Sequence, residues 1–472
     1  MKLEVRNPRT GEIDHWLEPA QPSHVASAAE RLRAVQPAWE AEGPQGRAHV
    51  LSEWAFQIAE TRAEIVAALI HDTGRLAESE LEIDGVLRMI DRWSRLSQDL
   101  LHPEKRAASS MPGIGVEQGS RAYRVAGVIS PWNFPLLLSL IDAIPALAAG
   151  CAVIVKPSEV APRFIEPLAR TIAATHGLPL AIVPGAAHTG EALINNVDAV
   201  CFTGSVPTGR GVAEQAARRF IPAFLELGGK DPAIVLAGTD LDRASSALVW
   251  GSTANAGQAC QSIERIYADR SIAGGLVERL VAKASALRLA VPQPADGEIG
   301  PIIAADQIEI IAEHLSDAAA RGAVTRTGGT IEVHDGGSYC LPTVLTGVDH
   351  SMKVMTQETF GPIMPVMEFD GADEAIALAN DTTYGLSAAV FAGSEDEALR
   401  LAKTIDAGAV SVNDAALTAF VSDGEKNSFN FSGLGGSRMG PASLRRFLRR
   451  QAYLIAESAD PDPWWPPPLK KR

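Results

Sequence analysis

The sequence predicts an α/β protein with two parallel-sheet domains, and three observations support this prediction. The chain has 472 residues, 46% of them hydrophobic and 21% charged, which is typical of a globular protein with more than one domain. Short apolar segments alternate with amphipathic segments of helical period, and such alternation is typical of βαβ units. The alternation occurs twice, before and after residues 228–231. We therefore expect two α/β domains that join near these residues.

The predicted elements form two series that follow an N-terminal helical region. In that region, charged faces of helical period predict helices over residues 48–70 and 79–100. The first series comprises strands over residues 125–129, 151–155, 181–183 and 199–202, with helices over residues 136–149, 162–176 and from 206 onward. The second comprises strands over residues 233–236, 265–267, 364–369, 387–391 and 409–412, with helices over residues 241–256, 273–287, 308–320, 373–378 and 395–405. Residues 113–124, just before the first series, predict a hairpin.

Charge and cysteine usage exclude several classes of function. The formal net charge of −15 disfavours nucleic acid or an anionic membrane as a partner, because both would repel an acidic surface. The four cysteines are widely spaced without a CxxC pair, which argues against a disulfide framework and against a metal site. The first residues lack the apolar stretch of a secretory signal peptide, so we expect a cytoplasmic protein.

Two segments have unusual compositions, one because it is almost entirely apolar and one because it is rich in proline and tryptophan. Residues 134–155 resemble a membrane span because Asp142 is their only charged residue, but Pro145 and Gly150 interrupt them. We expect a buried helix followed by a buried strand rather than a span. The tail, residues 460–472, contains DPDPWWPPP and is expected to be extended and polyproline-like. Its tryptophans are expected to pack on a neighbouring surface, with a recognition motif for another protein as the alternative.

Two segments are candidates for binding a dinucleotide, although no G-x-G-x-x-G follows a predicted strand. In residues 202–205 (FTGS), a glycine lies between a strand and a helix, where backbone N–H groups favour a pyrophosphate. Close packing of helix and strand explains Gly204 and Gly209 nearly as well. Residues 156–159 (KPSE) follow another strand at its carboxyl end, where parallel sheets bind ligands. Glu159 is suited to accept hydrogen bonds from ribose hydroxyls, whereas an N-cap by Ser158 is the structural alternative.

Cys260 and Glu226 are the candidate catalytic residues. Cys260 lies among small and polar residues (NAGQACQS) just after a helical stretch. A buried small hydrophobe is the usual role of a lone cysteine, but the surrounding loop favours a thiolate nucleophile. Glu226 interrupts an apolar run, so its pKa is expected to be raised toward that of a general base. An ion pair with Lys230 or another cation is the alternative.

Together these motifs resemble the aldehyde dehydrogenase superfamily, in particular its NAD(P)-dependent, non-acylating members. The resemblance extends from about residue 6 to residue 450, and Glu226 and Cys260 have the separation usual in that family. Six motifs appear in the family's order: PWNFP at 131–135, KPSE at 156–159, FTGS at 202–205, LELGGK at 225–230, NAGQAC at 255–260 and ETFGP at 358–362.

The resemblance implies a role for each of these residues. Cys260 would be the nucleophile, Asn133 with the Cys260 backbone N–H would form the oxyanion hole, and Glu226 would activate the hydrolytic water. The implied cofactor-binding residues are Trp132, Lys156, Ser158, Glu159, Gly204, Ser205, Gly209, Leu227, Glu358 and Phe360. The cofactor is expected to be NAD rather than NADP, since the Glu159 carboxylate would repel a 2′-phosphate. No metal is expected.

The resemblance also implies an architecture. A Rossmann-type cofactor-binding domain would comprise residues 1–112 and 125–228, with an oligomerisation hairpin at 113–124. A catalytic domain would comprise residues 229–428. A C-terminal segment, residues 429–472, would hold an oligomerisation strand at 451–456 and the Pro/Trp tail. We expect a homodimer or homotetramer that acts on a small-molecule aldehyde.

The sequence departs from the family pattern near the expected substrate entrance. Residues 426–431 (KNSFNF) stand where many members have a Gly-Gly-Lys-type run, Arg438 is displaced, and Ile141 replaces a bulky aromatic residue. These departures leave the aldehyde open, and the lack of an arginine cluster favours an uncharged, apolar one. A CoA-acylating enzyme is the enzymatic alternative, but that branch generally lacks Glu226. A catalytically silent binding protein is the other alternative, which the presence of all three catalytic residues disfavours.

Overall fold

The structure, a computed structural model, describes residues 2–102, 105–111 and 113–457. Its strands are β1 (Leu3–Arg6), β2 (Ile13–Leu17), β3 (Ala107–Ala108), β4 (Ile114–Ala122), β5 (Val125–Ile129), β6 (Ala152–Lys156), β7 (Leu180–Ile182), β8 (Ala199–Thr203), β9 (Ala223–Glu226), β10 (Asp231–Val235), β11 (Ile263–Asp269), β12 (Val324–Thr327), β13 (Ile331–His334), β14 (Gly337–Cys340), β15 (Thr343–Thr346), β16 (Ile363–Phe369), β17 (Ser387–Phe391), β18 (Ala409–Val412), β19 (Gly433–Leu434) and β20 (Leu448–Ala456). Its α-helices are α1 (Pro22–Ala41), α2 (Gly43–Glu60), α3 (Arg62–Thr73), α4 (Ala77–Leu100), α5 (Pro135–Leu140), α6 (Ala143–Ala149), α7 (Ile165–Ala174), α8 (Ala187–Asn196), α9 (Val206–Arg219), α10 (Leu241–Thr253), α11 (Ala273–Ala286), α12 (Ala305–Ala320), α13 (Lys353–Thr356), α14 (Ala372–Asn380), α15 (Glu395–Ala402) and α16 (Ala442–Arg445).

The first large sheet has the strand order β19-β9-β8-β5-β6-β7. Its strands are parallel except β19, which pairs antiparallel with β9. The chain adds strands from β5 outward to β6 and β7, then returns to the other side of β5 with β8 and β9. The order therefore reverses between β5 and β8, and such a switch point opens a crevice at the carboxyl ends of the strands.

The second large sheet has the strand order β12-β15-β16-β11-β10-β17-β18 and is parallel except for the β12–β15 pair. In both sheets the central strands are buried on both faces, because helices cover them. This arrangement confirms the predicted α/β fold class.

Helix α4 fixes the first turn of α5, which follows the PWNFP segment. Its apolar residues Ile83, Val86, Ile90 and Trp93 recur at helical spacing and are buried against α2, α5 and α6. The same face carries Glu82, which accepts hydrogen bonds from the backbone N–H groups of Leu136 and Leu137 at 2.8 and 2.9 Å. A carboxylate stabilises these two helix N-terminal donors, so α4 holds the first turn of α5 in place.

The predicted hairpin over residues 113–124 is wrong. These residues form one strand, β4, that pairs with β20 along its whole length and with β3 at its start. Gly119 lies within this extended strand. A Cβ there would lie 2.7 Å from the Tyr453 ring, so the glycine accommodates the ring across the strand pair.

The predicted helix over residues 136–149 is two helices, α5 and α6, with a break at Ile141 and Asp142. Pro145 lies in the first turn of α6, where its missing N–H costs no helical hydrogen bond. The predicted helix over residues 48–70 is also divided, at Thr61 between α2 and α3.

Two further predictions concern membranes and the tail. In the part of the chain that the structure describes, no helix combines the length and the apolarity that crossing a membrane requires. The segment predicted as a buried helix and strand instead forms α5, α6 and β6. The tail at residues 460–472 lies outside the described residues.

Candidate active site

A cavity of about 740 Å³ lies at the carboxyl ends of β5, β6 and β8, where loops from both large sheets meet. Its lining includes most of the residues proposed from the sequence: Trp132, Asn133, Lys156, Ser158, Glu159, Gly204, Ser205, Leu227, Cys260, Glu358 and Phe360. Gly209 and Glu226 are not among its lining residues. The structure thus brings together motifs that are far apart in the sequence.

Gly209 contributes to the cavity through Leu227. A Cβ at Gly209 would lie 2.5 Å from Leu227 Cδ2, so only glycine lets α9 approach this side chain. Leu227 in turn lines the cavity. The position is therefore explained by helix–strand packing, which was the alternative interpretation.

Lys156 and Glu159 form one side of the cavity. The Lys156 ammonium is buried and donates to Pro157 O at 2.8 Å, Gly185 O at 2.5 Å and Glu159 Oε2 at 3.3 Å. These three acceptors match its three protons. Burial lowers the pKa of Lys156, and the Glu159 carboxylate opposes this effect. Glu159 itself keeps 39% of its side chain exposed toward solvent and cavity.

Ser158 does not cap a helix. Helix α7 begins only at Ile165, and Ser158 Oγ accepts a hydrogen bond from Val160 N at 3.2 Å. The N-cap interpretation of this residue is wrong, because residues 159–164 turn before the helix starts.

The loop before Cys260 has an unusual backbone. Asn255 and Ala256 both have φ of 54°, and Gly257 has φ of 73°. A Cβ at Gly257 would lie 2.2 Å from the carbonyl carbon of Gly361, so this loop packs directly on the backbone that follows Glu358. Left-handed residues other than glycine cost free energy and cluster at functional sites.

Gln258 holds this loop in place, and sequence reasoning missed it. Its Nε2 donates to the carbonyls of Asn255 and Pro301 at 3.0 and 3.2 Å, and its Oε1 accepts from Ile303 N at 2.8 Å. Its own carbonyl accepts from Asn133 Nδ2 at 3.0 Å. Asn133 is thereby fixed beside the cysteine loop, and among the described contacts its second side-chain N–H has no protein acceptor.

Cys260 differs from the other three cysteines in its exposure. It is partly exposed and lines the cavity, whereas Cys151, Cys201 and Cys340 are buried. Burial of its sulfur raises the pKa of the Cys260 thiol to about 12, and the charge of Lys426 is the largest effect in the opposite direction. At neutral pH the resting side chain is therefore a thiol.

Glu226 ends β9 and is 8% exposed. Its Oε2 accepts a hydrogen bond from Ser428 Oγ at 2.8 Å and lies 3.5 Å from Lys426 Nζ. Burial raises the pKa of Glu226, but Lys426, Arg438 and Ser428 outweigh burial and hold it below its ordinary value. The predicted rise in this pKa is wrong, because the sequence did not reveal the cation that approaches the carboxylate.

Lys230, the cation suggested as a partner of Glu226, pairs instead with Glu264 at 2.6 Å. Glu264 also accepts the backbone N–H groups of Thr359 and Phe360, each at 2.7 Å. This buried carboxylate clamps the loop that carries Glu358. Sequence reasoning missed Glu264 because β11 also contains Arg265 and Asp269, so this carboxylate does not interrupt an apolar run as Glu226 does.

Glu358 and Phe360 extend from this clamped loop into the cavity. Glu358 Oε1 accepts a hydrogen bond from Gly229 N at 2.9 Å, and burial raises the pKa of this carboxyl to about 8. Phe360 contacts Trp132 edge to face, with ring centroids 5.5 Å apart. A Cβ at Gly228 would lie 2.4 Å from Glu358 Oε2, so this glycine leaves room for the carboxylate. Glu358 and Glu159 are thus two acidic side chains of the cavity lining whose oxygens are available to hydroxyl groups of a ligand.

The cavity suits an extended dinucleotide better than a metal. The N-terminus of α9 supplies N–H groups at one side, and Trp132 and Phe360 supply flat apolar surfaces. Among the residues that the structure describes, no group of three or more His, Cys, Asp or Glu side chains is arranged to hold a metal ion.

Comparison with known proteins identifies relatives of this chain. A family model described as "Aldehyde dehydrogenase family" matches residues 1–453. A "Putative succinate-semialdehyde dehydrogenase [NADP(+)]" of Mycolicibacterium smegmatis is 36% identical over 446 residues, which cover 93% of this chain and 86% of that protein. A "4,4'-diapolycopene aldehyde oxidase" of Methylomonas is 35% identical over 416 residues, 86% of this chain and 77% of that protein.

A solved structure agrees with these sequence relatives. The putative aldehyde dehydrogenase PutA from Anabaena variabilis has a TM-score of 0.97 and 56% identity, and the match covers 98% of this chain and 100% of that one. Because the family model, the sequence relatives and this structure all span most of the chain, the chain belongs to the aldehyde dehydrogenase family and is an NAD(P)-dependent aldehyde dehydrogenase.

Proposed function

We propose that the protein oxidises an aldehyde to a carboxylic acid through a thioester on Cys260, with NAD as the preferred cofactor. The observation that carries this proposal is the position of Cys260. Of the four cysteines it alone lines the cavity, beside the amide of Asn133 and in the same space as Glu159 and Glu358.

The first half-reaction forms the thioester. The Cys260 thiol gives its proton to solvent water, the thiolate sulfur adds to the carbonyl carbon, and the electron pair of the C=O bond moves to oxygen. The second N–H of Asn133 and the Cys260 backbone N–H are the donors proposed for this oxyanion, and such a donor is typically worth about 3 kcal/mol. When bound, NAD(P) supplies the acceptor for hydride. Collapse of the alkoxide expels the hydrogen with its electron pair and leaves the acyl group on sulfur.

The second half-reaction releases the acid. Glu226 takes a proton from water as the water oxygen bonds to the acyl carbon, and the C–S bond breaks to regenerate Cys260. In the resting structure Lys426 and Ser428 hold Glu226 away from the cavity lining, so its side chain must turn toward Cys260 for this step.

Rapid-mixing kinetics of Glu226→Gln test this division of labour. The variant is expected to form about one equivalent of NADH per active site and then to stall, because acylation needs no base from Glu226. Glu166→Gln, at an exposed carboxylate on α7 that does not line the cavity, is a control expected to turn over normally. Steady turnover of Glu226→Gln at the wild-type rate would show that another group activates the water.

The preference for NAD rests on the surroundings of Glu159. The three protons of Lys156 already have acceptors, so this cation has none left for a 2′-phosphate, while the Glu159 carboxylate is suited to a 2′-hydroxyl. The Mycolicibacterium relative is named for NADP, so both cofactors must be compared.

We further propose that the aldehyde is apolar. Gln261, next to Cys260, accepts a hydrogen bond from Thr418. The segment that contains Thr418 also exposes Phe420 and Val421. The Phe420 ring stacks on exposed Trp250 with centroids 5.2 Å apart. Exposed aromatic surface beside a reactive residue favours a hydrocarbon chain.

The two relatives suggest the substrates that test this proposal. Straight-chain aldehydes of increasing length are expected to show rising kcat/KM, and succinate semialdehyde is expected to be poorer than an uncharged aldehyde of equal length. A clear preference for succinate semialdehyde would overturn the apolar assignment and leave the thioester mechanism standing.

We also propose that β4 and β20 mediate assembly into a homodimer or homotetramer. Tyr453 and Leu454 on β20 are 43% and 73% exposed, which is unusual for neighbouring large apolar side chains. Light scattering of Leu454→Asp against the unaltered protein tests this, with a smaller particle expected for the variant.

A further inference from the structure

Glu226 lies in a buried cluster of charged side chains. The other members of this cluster lie outside the sequence motifs: Asp142, Lys426, Arg438 and Arg446. Asp142 pairs with Arg438 at 2.8 Å and also with Arg446, and Glu226 lies 3.5 Å from Lys426. All five side chains are at most 10% exposed. The cluster thus holds three cations against two carboxylates, and the excess positive charge lies deep in the protein.

Lys426 belongs to a segment that departs from the family pattern. It begins the KNSFNF segment, and its backbone N–H donates to Ser437 Oγ at 3.0 Å, which fixes where the side chain starts. Its ammonium and the hydroxyl of Ser428 both approach the same oxygen, Glu226 Oε2. Two residues of one segment therefore hold the proposed general base.

We propose that Lys426 is a positioning residue for both half-reactions: its ammonium holds Glu226 as a carboxylate, and its charge stabilises the thiolate of Cys260. This inference rests on the thioester mechanism proposed above. It deepens that mechanism, because one side chain outside the family motifs would control the protonation of both reacting groups.

The electrostatic surroundings of the two groups support this inference. For both Glu226 and Cys260, burial is the largest influence and raises the pKa, and Lys426 is the strongest influence that lowers it. Like Lys426, Arg438 lowers the pKa of both groups, and Arg446 also lowers the pKa of Glu226. Glu358 and Asp231 oppose it at Cys260. Lys426 is therefore the charge whose removal is expected to raise both pKa values most.

The sign of the expected effect follows from these influences. Water activation needs the carboxylate form of Glu226, and attack needs the thiolate form of Cys260. Removing the cation raises both pKa values, so activity at low and neutral pH falls and returns as the pH rises. A nearby opposite charge shifts a pKa by about 1–3 units, which gives a tenfold or larger loss of rate below the midpoint.

The experiment compares Lys426→Met, Lys426→Arg and Ser428→Ala in the full-length enzyme by two pH profiles. The first is the rate of Cys260 alkylation by iodoacetamide without cofactor, assigned to that residue by peptide mass spectrometry. The second is the single-turnover rate of acyl-enzyme hydrolysis. Lys426→Met is expected to move the hydrolysis midpoint upward by about one pH unit or more and to slow alkylation about tenfold or more at each pH below the pKa of the thiol, and Lys426→Arg to restore both. Ser428→Ala is expected to move only the hydrolysis midpoint, since it removes a hydrogen bond to Glu226 and no charge.

Two outcomes would overturn the inference. A loss of hydrolysis rate in Lys426→Met that is uniform across the pH range, with no shift of the hydrolysis midpoint, would mean that the lysine only supports local structure. A shift in hydrolysis alone would mean that Lys426 acts on Glu226 but not on Cys260. If Lys426→Met does not fold, as judged by circular dichroism, Lys426→Gln serves for the same two profiles. Substantial turnover by Cys260→Ala would instead refute the thioester mechanism, whatever the Lys426 variants show.

Discussion

The cofactor crevice and the surroundings of Glu226 are two halves of one site that are built differently. In the crevice, each proposed side chain belongs to a short loop at a strand end, so the motif and the strand together determine its place. Around Glu226, the charges come from Asp142, Lys426 and Arg438. Lys426 and Arg438 lie in the C-terminal part of the chain, which returns to β9 through the pairing of β19 with β9. Local sequence thus places the proposed reacting groups, whereas the charges around Glu226 come from residues far away in the sequence.

The largest effect expected on the crevice side is that of Cys260→Ala. Turnover should fall below detection, because no other cysteine lines the cavity, while binding of NAD is retained. NADH formation and fluorescence titration measure the two properties. Cys340→Ala is the matched control, since this buried thiol packs in the core of the second sheet, away from the cavity. Retained aldehyde oxidation by Cys260→Ala would remove the basis of the mechanism.

A smaller loss is expected for Asn133→Ala. Loss of one oxyanion donor typically lowers kcat by about 10²–10³, and here it also frees the Gln258 carbonyl from one of its partners. The NADH burst should slow, while alkylation of Cys260 at a given pH changes little. Asn196→Ala, whose amide bonds only within α8, should retain near wild-type rates. A burst of unchanged rate in Asn133→Ala would assign the oxyanion to other donors.

The sequence predicts most where burial is complete and local. Strands β17 and β18 begin and end at the predicted residues, and β17 is buried throughout. Strand β12 was missed because its residues are polar and mostly exposed, so its pairing with β15 leaves no apolar pattern. The predicted direction of the Glu226 pKa shift was wrong for a similar reason. No pattern along the sequence reveals that Lys426 approaches this carboxylate.

Glu264 tests whether the crevice depends on buried charge as well. Glu264→Gln leaves Lys230 unpaired in the interior, a loss of about 3–5 kcal/mol in the free energy of unfolding. It also weakens the clamp on the loop of Glu358, so KM for the cofactor should rise about tenfold, or roughly 1.4 kcal/mol.

The double variant Glu264→Gln/Lys230→Met separates the two effects. Removing the unpaired cation should recover thermal stability, but the loop still lacks its carboxylate, so KM for the cofactor should stay high. If KM for the cofactor returns to the wild-type value together with thermal stability, the Glu264 clamp contributes nothing of its own to cofactor binding.

The smallest effect concerns the choice of cofactor at Glu159. Its carboxylate is expected to accept a hydrogen bond from the 2′-hydroxyl of NAD, a charge-assisted contact worth roughly 1.5–3 kcal/mol, and to repel the 2′-phosphate of NADP. Lys156 offsets little of this repulsion, because Pro157 and Gly185 hold it in addition to Glu159. The kcat/KM for NAD should therefore exceed that for NADP by about tenfold, since 1.4 kcal/mol corresponds to that factor.

Glu159→Gln should narrow this ratio by lowering kcat/KM for NAD and raising kcat/KM for NADP. Glu166→Gln, at an exposed carboxylate on α7, should leave the ratio unchanged. Equal efficiency with both cofactors in the unaltered enzyme would mean that the carboxylate turns away from the ribose, toward Lys156 and solvent.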